Sequence, residues 1–550
     1  MQNQDEYLRE IAGWAESLTK IWPLPGGVMG LLDAEGRMEA VAFGRSDLER
    51  NIAAHPDDMF MIGSISKIFL ALITVHLAGL GFLNLDDRVN DHLSWLQPSL
   101  GAGVKIRHLL LHTGGLVKGA DAFPDELAQI WEARRGTSGG KPGHFFHYSN
   151  LGYILLGCIL RAATGESLPV LYRRCLLEPL GMTRSLVGVT NADRARLVQG
   201  YNPARDDWPW APGDALSPAP WFEVNGADGN IATTVHELLR FAALLRDDGQ
   251  FEGRSIVPSS VLQKMRGYRA PGGEDIALFG ETVSESRYGL GVNVETVLGS
   301  PCLSHGGGMV GYSSFLLIDL GRRIALVVLT NAPGECPVAQ VIARVAHLGL
   351  CNPERVEAAM KQSLLRANDD GIVTTSHRLF LHATGSRRGR PAEVTLTPND
   401  DEIEVIGGGI KATLHRDWSG QFVTSHPLLR DFRFCRTKDG WEHGDAIYKA
   451  KKSDSTAKRE PHPAVGQYRS YSPWFPRFRI IERENSLFLS APGGVEAPGG
   501  DMRLVQLSPG YFRIGDEAHL PERLTLGPMV EGKVITVNRD GCVYSRAFME

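Results

Sequence analysis

The sequence predicts an α+β protein that continues into an all-β region. Three observations lead to this class. In the first 350 residues, apolar runs at helical spacing are interspersed with short strand-like runs, and Gly or Pro separates them. After about residue 377, short alternating runs with turn residues between them replace the helical patterns, as is typical of small barrels. With 43% apolar and 22% charged residues, the composition is that of globular domains.

The chain of 550 residues is too long for one ordinary hydrophobic core, so several domains are expected. Changes of pattern place the boundaries between them. The expected division is a mixed α+β domain 1–350, a helical linker 351–376, a first β module 377–448, a polar linker 449–462 and a second β module 463–550.

Charge and cysteine content exclude several classes of protein. A formal net charge of −5 gives no electrostatic case for nucleic-acid binding. The seven cysteines are scattered without a paired framework or C-x-x-C spacing, which favours small buried side chains in a reducing compartment. The N-terminus carries acids where a signal peptide needs basic residues, and no membrane-spanning apolar run occurs. We therefore expect a cytoplasmic protein that binds no membrane.

The chain starts with a helix and a hairpin. Apolar residues recur at helical spacing from Leu8 to Trp22, and the pattern stops at Pro23. Apolar runs at 28–32 and 38–43 then flank a turn sequence, which predicts two paired strands.

The next stretch, Met61 to Leu70, opens a buried helix that Gly79 and Gly81 end. Ser64 and Lys67 are three residues apart at its start, so hydroxyl and amine lie on one face within hydrogen-bond reach. A partly desolvated amine can take the proton that makes serine a nucleophile. A capping serine beside a solvated lysine is the alternative for this motif alone.

Residues 105–116 predict a short helix with a glycine cap. His108 and His112 are four apart, which is a metal-pair spacing, but no third ligand signal lies nearby. Structural histidines are favoured here, and no metal or cofactor is expected.

Tyr148 and Asn150 precede the apolar helix 154–163 and can both face one cleft from a loop. Tyr148 is able to relay a proton if neighbouring positive charge lowers its pKa, and Asn150 is able to orient a substrate amide. The alternative is a tyrosine packed in a loop. Further on, the Trp- and Pro-rich segment 201–222 is either a wall of the cleft or a packed surface loop.

After a capping box at 234–237, the third polar stretch is His305-Gly306-Gly307-Gly308. It precedes two strand-like runs, 315–318 and 324–329, and a helix 338–348. Glycines beside a strand permit the close approach of a substrate backbone, with His305 as a polar group at the mouth of the cleft. Because no G-K-[ST] follows, the stretch is not a phosphate loop. Candidate substrate-binding residues are Asn150, His305, Gly307 and Gly308.

The three stretches, in this order and with Leu-His-Thr-Gly-Gly-Leu at 111–116 between the first two, resemble the class C beta-lactamase and penicillin-recognising serine hydrolase superfamily. The resemblance covers about residues 1–350. It implies a five-stranded antiparallel sheet flanked by helices, with the active site between this layer and an all-helical lobe. It also implies that Ser64 is acylated, that Lys67 and Tyr148 handle its proton, and that Asn150 positions the acyl group. The oxyanion would lie between the backbone NH groups of Ser64 and Gly308.

The third motif departs from true beta-lactamases, which carry Lys-Thr-Gly where this chain has His305-Gly306-Gly307. The chain therefore looks more like the D-aminopeptidases, esterases and linearised-microcystin peptidases of the superfamily, with weak or absent beta-lactamase activity. In the D-aminopeptidases, C-terminal barrels border the active site. By that likeness, the loop Tyr471–Pro476 is a candidate for limiting substrate size.

The leading hypothesis is a serine hydrolase that forms an acyl-enzyme on peptides, including unusual or D-residue peptides. A carboxylesterase is the alternative among enzymes, and a slowly acylated binding or sensor protein is the alternative of another class. A small peptide or ester is the expected partner, and a homodimer is one option for the assembly.

Overall fold

The computed structural model describes residues 4–96, 100, 102–119, 125–133, 139–274, 282–365, 376–382, 391–399, 402–451 and 460–547. Its centre is one eight-stranded antiparallel sheet. In spatial order the strands of this sheet are Val283–Tyr288, Asn293–Val297, Ser300–Met309, Tyr312–Asp319, Ile324–Thr330, Gly26–Leu32, Met38–Asp47 and Ile52–Ala53. The sheet has more strands than the five that the resemblance implies, because the hairpin 283–297 extends one edge and the short strand Ile52–Ala53 extends the other.

Both faces of this sheet are covered, as its side-chain alternation requires. Met29, Leu31 and Val328 face the first and last helices of the mixed domain, Gln4–Leu18 and Val338–Cys351. The residues between them on the same strands face the opposite way, into the larger core that the other helices complete. The expectation of a sheet between two helical layers is confirmed.

The helical lobe on the second face carries most of the predicted helices. The α-helices of the described residues outside the two already given are Ser66–Gly79, Val89–His92, Ile106–Leu110, Glu126–Ala133, Asn150–Thr164, Leu168–Tyr172, Glu178–Leu180, Val235–Arg246, Ser259–Gly267 and Pro353–Leu365. Shorter turns of 3₁₀ helix lie at Gly63–Ile65 and Asn191–Arg196, and a π-helical turn lies at Arg173–Leu177. Small sheets pair Met59–Met61 and Leu186–Val187 with Ile231–Thr234, Tyr201–Pro203 with Leu216–Pro218, and Gln250–Phe251 with Arg254–Ser255.

Two closed eight-stranded barrels follow, which confirms the all-β region. The strands of the first barrel are His377–Leu381, Glu393–Asn399, Glu402–Gly407, Ile410–Arg416, Phe422–Val423, Phe434–Thr437, Gly440–His443 and Ala446–Lys449. Those of the second are Gly466–Arg469, Arg477–Arg483, Ser486–Ser490, Met502–Ser508, Tyr511–Ile514, Arg523–Leu526, Thr536–Arg539 and Cys542–Arg546, with a side hairpin Met529–Val530 and Lys533–Val534.

The predicted linkers fall partly outside the described residues. Helix Pro353–Leu365 occupies most of the described part of the helical linker, and residues 366–375 are not described. In the polar linker, residues 452–459 are not described. We keep the five-part division as a proposal for the folded chain.

Both barrels pack on the mixed domain through the segment 201–222. The Arg430 guanidinium of the first barrel lies 3.6 Å above the Trp208 ring. Asp206 pairs with Arg469 at 2.9 Å and with Arg477 at 3.5 Å, both on the second barrel. This segment is therefore a packed surface between domains rather than a wall of the cleft.

Among the described helices, no single one is long and apolar enough to cross a membrane. The bent pair Asn150–Thr164 and Leu168–Leu180, with 81° between its helices, meets the requirement of length and composition when the two are taken together.

Candidate active site

Ser64 lies in the 3₁₀ turn that leads into helix Ser66–Gly79, and Lys67 lies in the first turn of that helix. The helix is apolar nearly all round, and it is buried in the core, so Lys67 has no exposed surface. Its Nζ atom lies 2.8 Å from Ser64 Oγ and 2.8 Å from the backbone oxygen of Asp228. The expected contact between hydroxyl and amine is thus formed.

Tyr148 completes this group from the loop before helix Asn150–Thr164. Its hydroxyl is hydrogen-bonded to Ser64, and Lys67 Nζ lies 5.1 Å from its ring centroid. Burial, followed by the charge of Glu274, raises the pKa of the Tyr148 phenol well above its ordinary value, and the bond from Ser64 offsets this only in part. The expectation that positive charge lowers this pKa is wrong, because desolvation dominates. Tyr148 is therefore a neutral phenol at neutral pH.

Asn150 is held at the start of its helix. Ser149 caps that helix by accepting from Gly152 N, and Asn150 N donates to Lys118 O at 2.6 Å. The Asn150 Nδ2 group donates to Glu496 Oε1 at 3.0 Å. Its Oδ1 atom is buried without a hydrogen-bond partner among the described residues. The carboxamide is thus held by Glu496, and its oxygen is enclosed by the protein.

The glycines of the third stretch lie on strand Ser300–Met309 beyond Ser304. At Ser304 the pairing of this strand with strand Asn293–Val297 ends. A Cβ atom on Gly307 would lie 2.0 Å from the Ile62 backbone oxygen. One on Gly63 would lie 2.9 Å from Gly308 N. The serine turn and the strand edge therefore approach each other at a distance that only glycine permits.

His305 lies behind the cleft rather than at its mouth, where the sequence placed it. Side chains alternate along a strand, and this one points into the protein with no exposed surface. Its ring nitrogens lie 2.8 Å from Tyr288 Oη and 2.6 Å from the Gly306 backbone oxygen. Burial lowers the pKa of His305, so the imidazole is neutral.

Two further histidines near the cleft, His112 and His147, make contacts within the protein. His112 stacks on Tyr148 with 4.1 Å between ring centroids and accepts from Ser149 N. His147 pairs with Glu522 of the second barrel at 2.6 Å. Among the described residues, one group has metal-ligand character, namely Cys302, Asp319 and His347, and it lies away from the cleft. Asp319 in that group already accepts bonds from Ser300, Arg322 and His347.

The cleft around Ser64 has a volume of about 490 Å³, and the second barrel forms one side of it. From that barrel come Trp474, Val495 and Glu496. Of the loop Tyr471–Pro476, only Trp474 lines the cleft, whereas Tyr471 is 98% exposed.

Sequence reasoning missed the charged residues of this cleft. Lys118 and four carboxyl groups line it, those of Asp228, Glu274, Glu335 and Glu496. Burial raises the pKa of Asp228 and of Glu335. None of these residues stands in a recognisable motif, so the printed sequence contains no signal for them.

The geometry defines a serine hydrolase site, and comparison with known proteins identifies the family. Residues 16–350 match the family model described as Beta-lactamase, and the chain belongs to this family. Penicillin-binding protein 4* of Bacillus subtilis (strain 168) is 26% identical over 433 residues, which are 70% of this chain and 88% of that protein.

Solved structures show the same fold. The octameric penicillin-binding protein homologue from Pyrococcus abyssi superimposes with a TM-score of 0.57 at 21% identity, over 89% of this chain and 98% of that one. The D-amino acid amidase from Ochrobactrum anthropi SV3, in complex with D-phenylalanine, has a TM-score of 0.53 at 22% identity, over 65% of this chain and 99% of that one.

Proposed function

We propose that this serine hydrolase cleaves peptide amide bonds through an acyl-enzyme on Ser64. The observation that carries the proposal is the contact of Ser64 Oγ with Lys67 Nζ at 2.8 Å, with the Tyr148 hydroxyl bonded to the same serine. This is an activated nucleophile with two proton carriers beside it. The Gly308 backbone nitrogen lies beside the serine turn, since a Cβ atom on Gly63 would be 2.9 Å from it, and we infer that its NH completes an oxyanion hole.

The roles of the three residues follow from their contacts. Ser64 Oγ attacks the substrate carbonyl carbon, and its proton passes to the Lys67 amine. The carbon–nitrogen bond then breaks, and the leaving nitrogen takes the proton of the neutral Tyr148 phenol, which Lys67 restores. Water next attacks the acyl carbon and loses a proton to the same pair. The bond from the acyl carbon to Ser64 Oγ then breaks, the pair returns that proton to Oγ, and the product acid is released. Asn150 and the glycines Gly307 and Gly308 hold the acyl group, and His305 holds Tyr288 behind them.

Two observations support amide substrates that lack a carboxylate group of the kind that beta-lactams carry. The cleft is lined by four carboxyl groups, and its third motif provides neither a lysine nor a threonine. A D-amino acid amidase has the same fold as the mixed domain. We therefore propose unusual or D-residue peptides as substrates and expect little turnover of beta-lactams.

The test is hydrolysis of a substrate panel by the wild type and by Ser64→Ala. The panel holds D- and L-aminoacyl anilides, a short-chain nitrophenyl ester, a chromogenic cephalosporin and a linear peptide. We expect anilide or peptide cleavage by the wild type and a fall below about one-thousandth in the variant, because the nucleophile is gone. Ser66→Ala is the matched control, since Ser66 Oγ accepts from Ile231 N and does not belong to the catalytic group.

The other outcomes separate the alternatives. Cleavage of the ester alone would identify a carboxylesterase. No cleavage of any substrate, with a slow mass increase of the intact protein on incubation with the panel, would identify an acylated binding or sensor protein. Unchanged turnover in Ser64→Ala would overturn the mechanism.

A cytoplasmic location and a homodimer complete the proposal. All seven cysteines are free thiols and four are buried, which supports a reducing compartment. Cell fractionation tests the location, and recovery of the protein outside the cytoplasm would contradict it. Light scattering of the purified chain measures the assembly, for which the octameric neighbour is the comparison.

A further inference from the structure

Glu522 of the second barrel lies outside the lining of the cleft and contacts the mixed domain at two points. Its Oε1 atom accepts from the backbone nitrogen of Lys118 at 3.1 Å, and the same atom lies 2.6 Å from His147 Nε2. Burial by itself would raise the pKa of Glu522, but the hydrogen bond and charge of His147 and the backbone bond from Lys118 outweigh burial and lower it. The carboxylate is therefore ionised and accepts from both partners, and such charge-assisted hydrogen bonds are the stronger sort.

Lys118 and His147 belong to the two segments that hold Tyr148 and Asn150. His147 directly precedes Tyr148 in the chain. Lys118 O accepts from Asn150 N at 2.6 Å, and Glu522 holds the amide nitrogen of the same lysine. The Glu522 carboxylate is therefore connected to Tyr148 from both sides, through the chain at His147 and through the bond between Lys118 and Asn150.

The two segments have no regular backbone ladder to fix them. Residues 111–119 and 141–149 lie outside helices and strands, so their position depends on individual hydrogen bonds. Ser149 N donates to His112 Nδ1 at 3.0 Å, and Ser149 Oγ donates to Val117 O at 2.7 Å. These bonds join the two irregular segments to each other.

Glu522, in contrast, is held firmly in the second barrel. It directly precedes strand Arg523–Leu526, one of the eight strands of that closed barrel. Its backbone oxygen accepts from Ile514 N at 3.1 Å, and the backbone nitrogen of the next residue, Arg523, donates to Asp540 Oδ1 at 2.7 Å. The Glu522 carboxylate therefore links the two irregular segments to a rigid strand.

We propose that Glu522 is a positioning residue for this hydrolase, which keeps the Tyr148 hydroxyl bonded to Ser64 by fixing Lys118 and His147. The inference rests on the proposed function, and it gives the second barrel a part in proton transfer besides forming one side of the cleft. A proton donor must lie within hydrogen-bond reach of the group that takes its proton. A shift of about 1 Å in such a group can cost about 100-fold in rate.

The alternative is that Glu522 only helps to dock the barrel on the mixed domain. Other contacts also do this, since Asp206 pairs with Arg469 at 2.9 Å and Gly494 N donates to Glu335 Oε1 at 3.0 Å. These contacts remain when Glu522 is replaced, so the barrel should stay in place. Asp206→Asn is the matched control, because it weakens an ion pair between the same two domains that involves neither irregular segment.

The experiment compares an aminoacyl anilide with the nitrophenyl ester of the same acyl group, for whichever stereoisomer is cleaved. The anilide nitrogen needs a proton in order to leave, whereas nitrophenolate leaves without one. We expect Glu522→Ala to lower kcat/KM by about 100-fold for the anilide and by much less for the ester. Glu522→Gln keeps an acceptor oxygen and should retain most of the anilide activity. Asp206→Asn should match the wild type on both substrates. Circular dichroism and thermal melting verify that each variant is folded.

A double-mutant cycle tests whether Glu522 acts through Tyr148. Residues that act as one unit have effects that do not add, so Glu522→Ala should cause little further loss of anilide cleavage in the Tyr148→Phe variant. A residue with a merely structural role would cause the same fold-loss in both backgrounds. His147→Ala is a second variant, which leaves the Lys118 contact with Glu522 and should lower the anilide rate by a smaller factor, again more than the ester rate.

Three results would overturn the positioning role and leave the hydrolase standing. They are wild-type anilide cleavage in a folded Glu522→Ala variant, an equal loss on anilide and ester, and an equal loss in the wild-type and Tyr148→Phe backgrounds. If Glu522→Ala does not fold, the same criteria apply to His147→Ala. No cleavage of either substrate by the wild type would overturn the proposed function itself.

Discussion

The protonation state of Tyr148 depends on the surroundings of the phenol rather than on the motif in which the residue stands. Lys67 Nζ is close to its ring, yet burial, followed by the charge of Glu274, raises the pKa of the phenol by more than the hydrogen bond with Ser64 lowers it. The residue is therefore suited to give a proton to a leaving nitrogen. It is unsuited to be a resting phenolate base.

This assignment predicts the alkaline side of the pH profile. Because the pKa of Tyr148 is raised above its ordinary value of about 10, the phenol keeps its proton throughout the neutral and mildly alkaline range. Activity that needs this proton is present below the raised pKa and is lost only as the pH rises through it. We expect kcat/KM for an anilide to show no decline caused by Tyr148 up to about pH 10.

The measurement is a pH–rate profile from pH 6 to 10 for the wild type and for Tyr148→Phe, which has no phenol to titrate. A declining limb below pH 10 that is present in the wild type and absent in a still active phenylalanine variant would contradict the neutral-phenol assignment.

At the scale of elements, the site depends on how closely the serine turn and the glycine strand approach. Ser314 Oγ, on the neighbouring strand, lies 2.9 Å from Ile62 O and 3.3 Å from Gly307 O and so bridges the two elements. The absence of a Cβ atom at Gly63 and Gly307 allows this approach, because each would meet backbone atoms of the other element. The position of the oxyanion donors is therefore a packing property of two elements.

Gly307→Ala tests this packing. The added Cβ atom would lie 2.0 Å from Ile62 O and 2.3 Å from Ser314 Oγ, so the strand must move away from the serine turn. We expect a loss of at least about 100-fold in kcat, the effect of losing one oxyanion donor, with a smaller change in KM. Kinetics on the anilide and a thermal melt measure the two effects.

Gly36→Ala is a control for the substitution itself, since Gly36 lies in a hairpin turn and a Cβ atom there meets no atom within 4 Å. Its positive φ of 91° means that a small loss of stability is expected without loss of activity. Full activity in a folded Gly307→Ala variant would show that the two elements can separate without harm.

At the scale of the whole molecule, buried ion pairs join distant elements. Asp319, at the end of a central strand, accepts from Ser300, from Arg322 and from His347 of the last helix of the mixed domain. Burial by itself would raise the pKa of this carboxyl, but these hydrogen bonds outweigh it and hold the pKa well below its usual range. The group therefore links the stability of the mixed domain to pH.

The direction in which stability changes with pH follows from the lowered pKa of Asp319. The stabilisation is fully present above the unfolded value of about 3.9 and is lost as the pH falls toward the folded value. We expect Asp319→Asn to cost about 3–5 kcal/mol at pH 7, because it leaves buried partners without their charge. Below pH 4 the variant should lose stability less steeply than the wild type. Thermal melts from pH 3 to 7 measure both effects, with the exposed Asp439→Asn as control. Equal slopes in the wild type and Asp319→Asn would contradict the role.

Much of the fold could be predicted from short-range patterns. The apolar runs 28–32, 315–318 and 324–329 correspond to strands of the central sheet, and the spacing of Ser64 and Lys67 corresponds to their contact at 2.8 Å. Such features depend on residues two to four positions apart, where helix and strand geometry leaves little choice.

What only the tertiary structure decided is which distant side chains share the cleft. Asn150 and Glu496 are 346 residues apart and meet because the second barrel packs on the mixed domain. The side chain of His305 faces inward, and segment 201–222 contacts the barrels. In both cases the local sequence pattern is compatible with either orientation, and tertiary packing determines which side is buried. The order of motifs along the chain thus predicted the chemistry proposed for Ser64, whereas long-range packing placed Glu496 of the second barrel in the cleft. Contacts of that range leave no periodic trace in a single sequence.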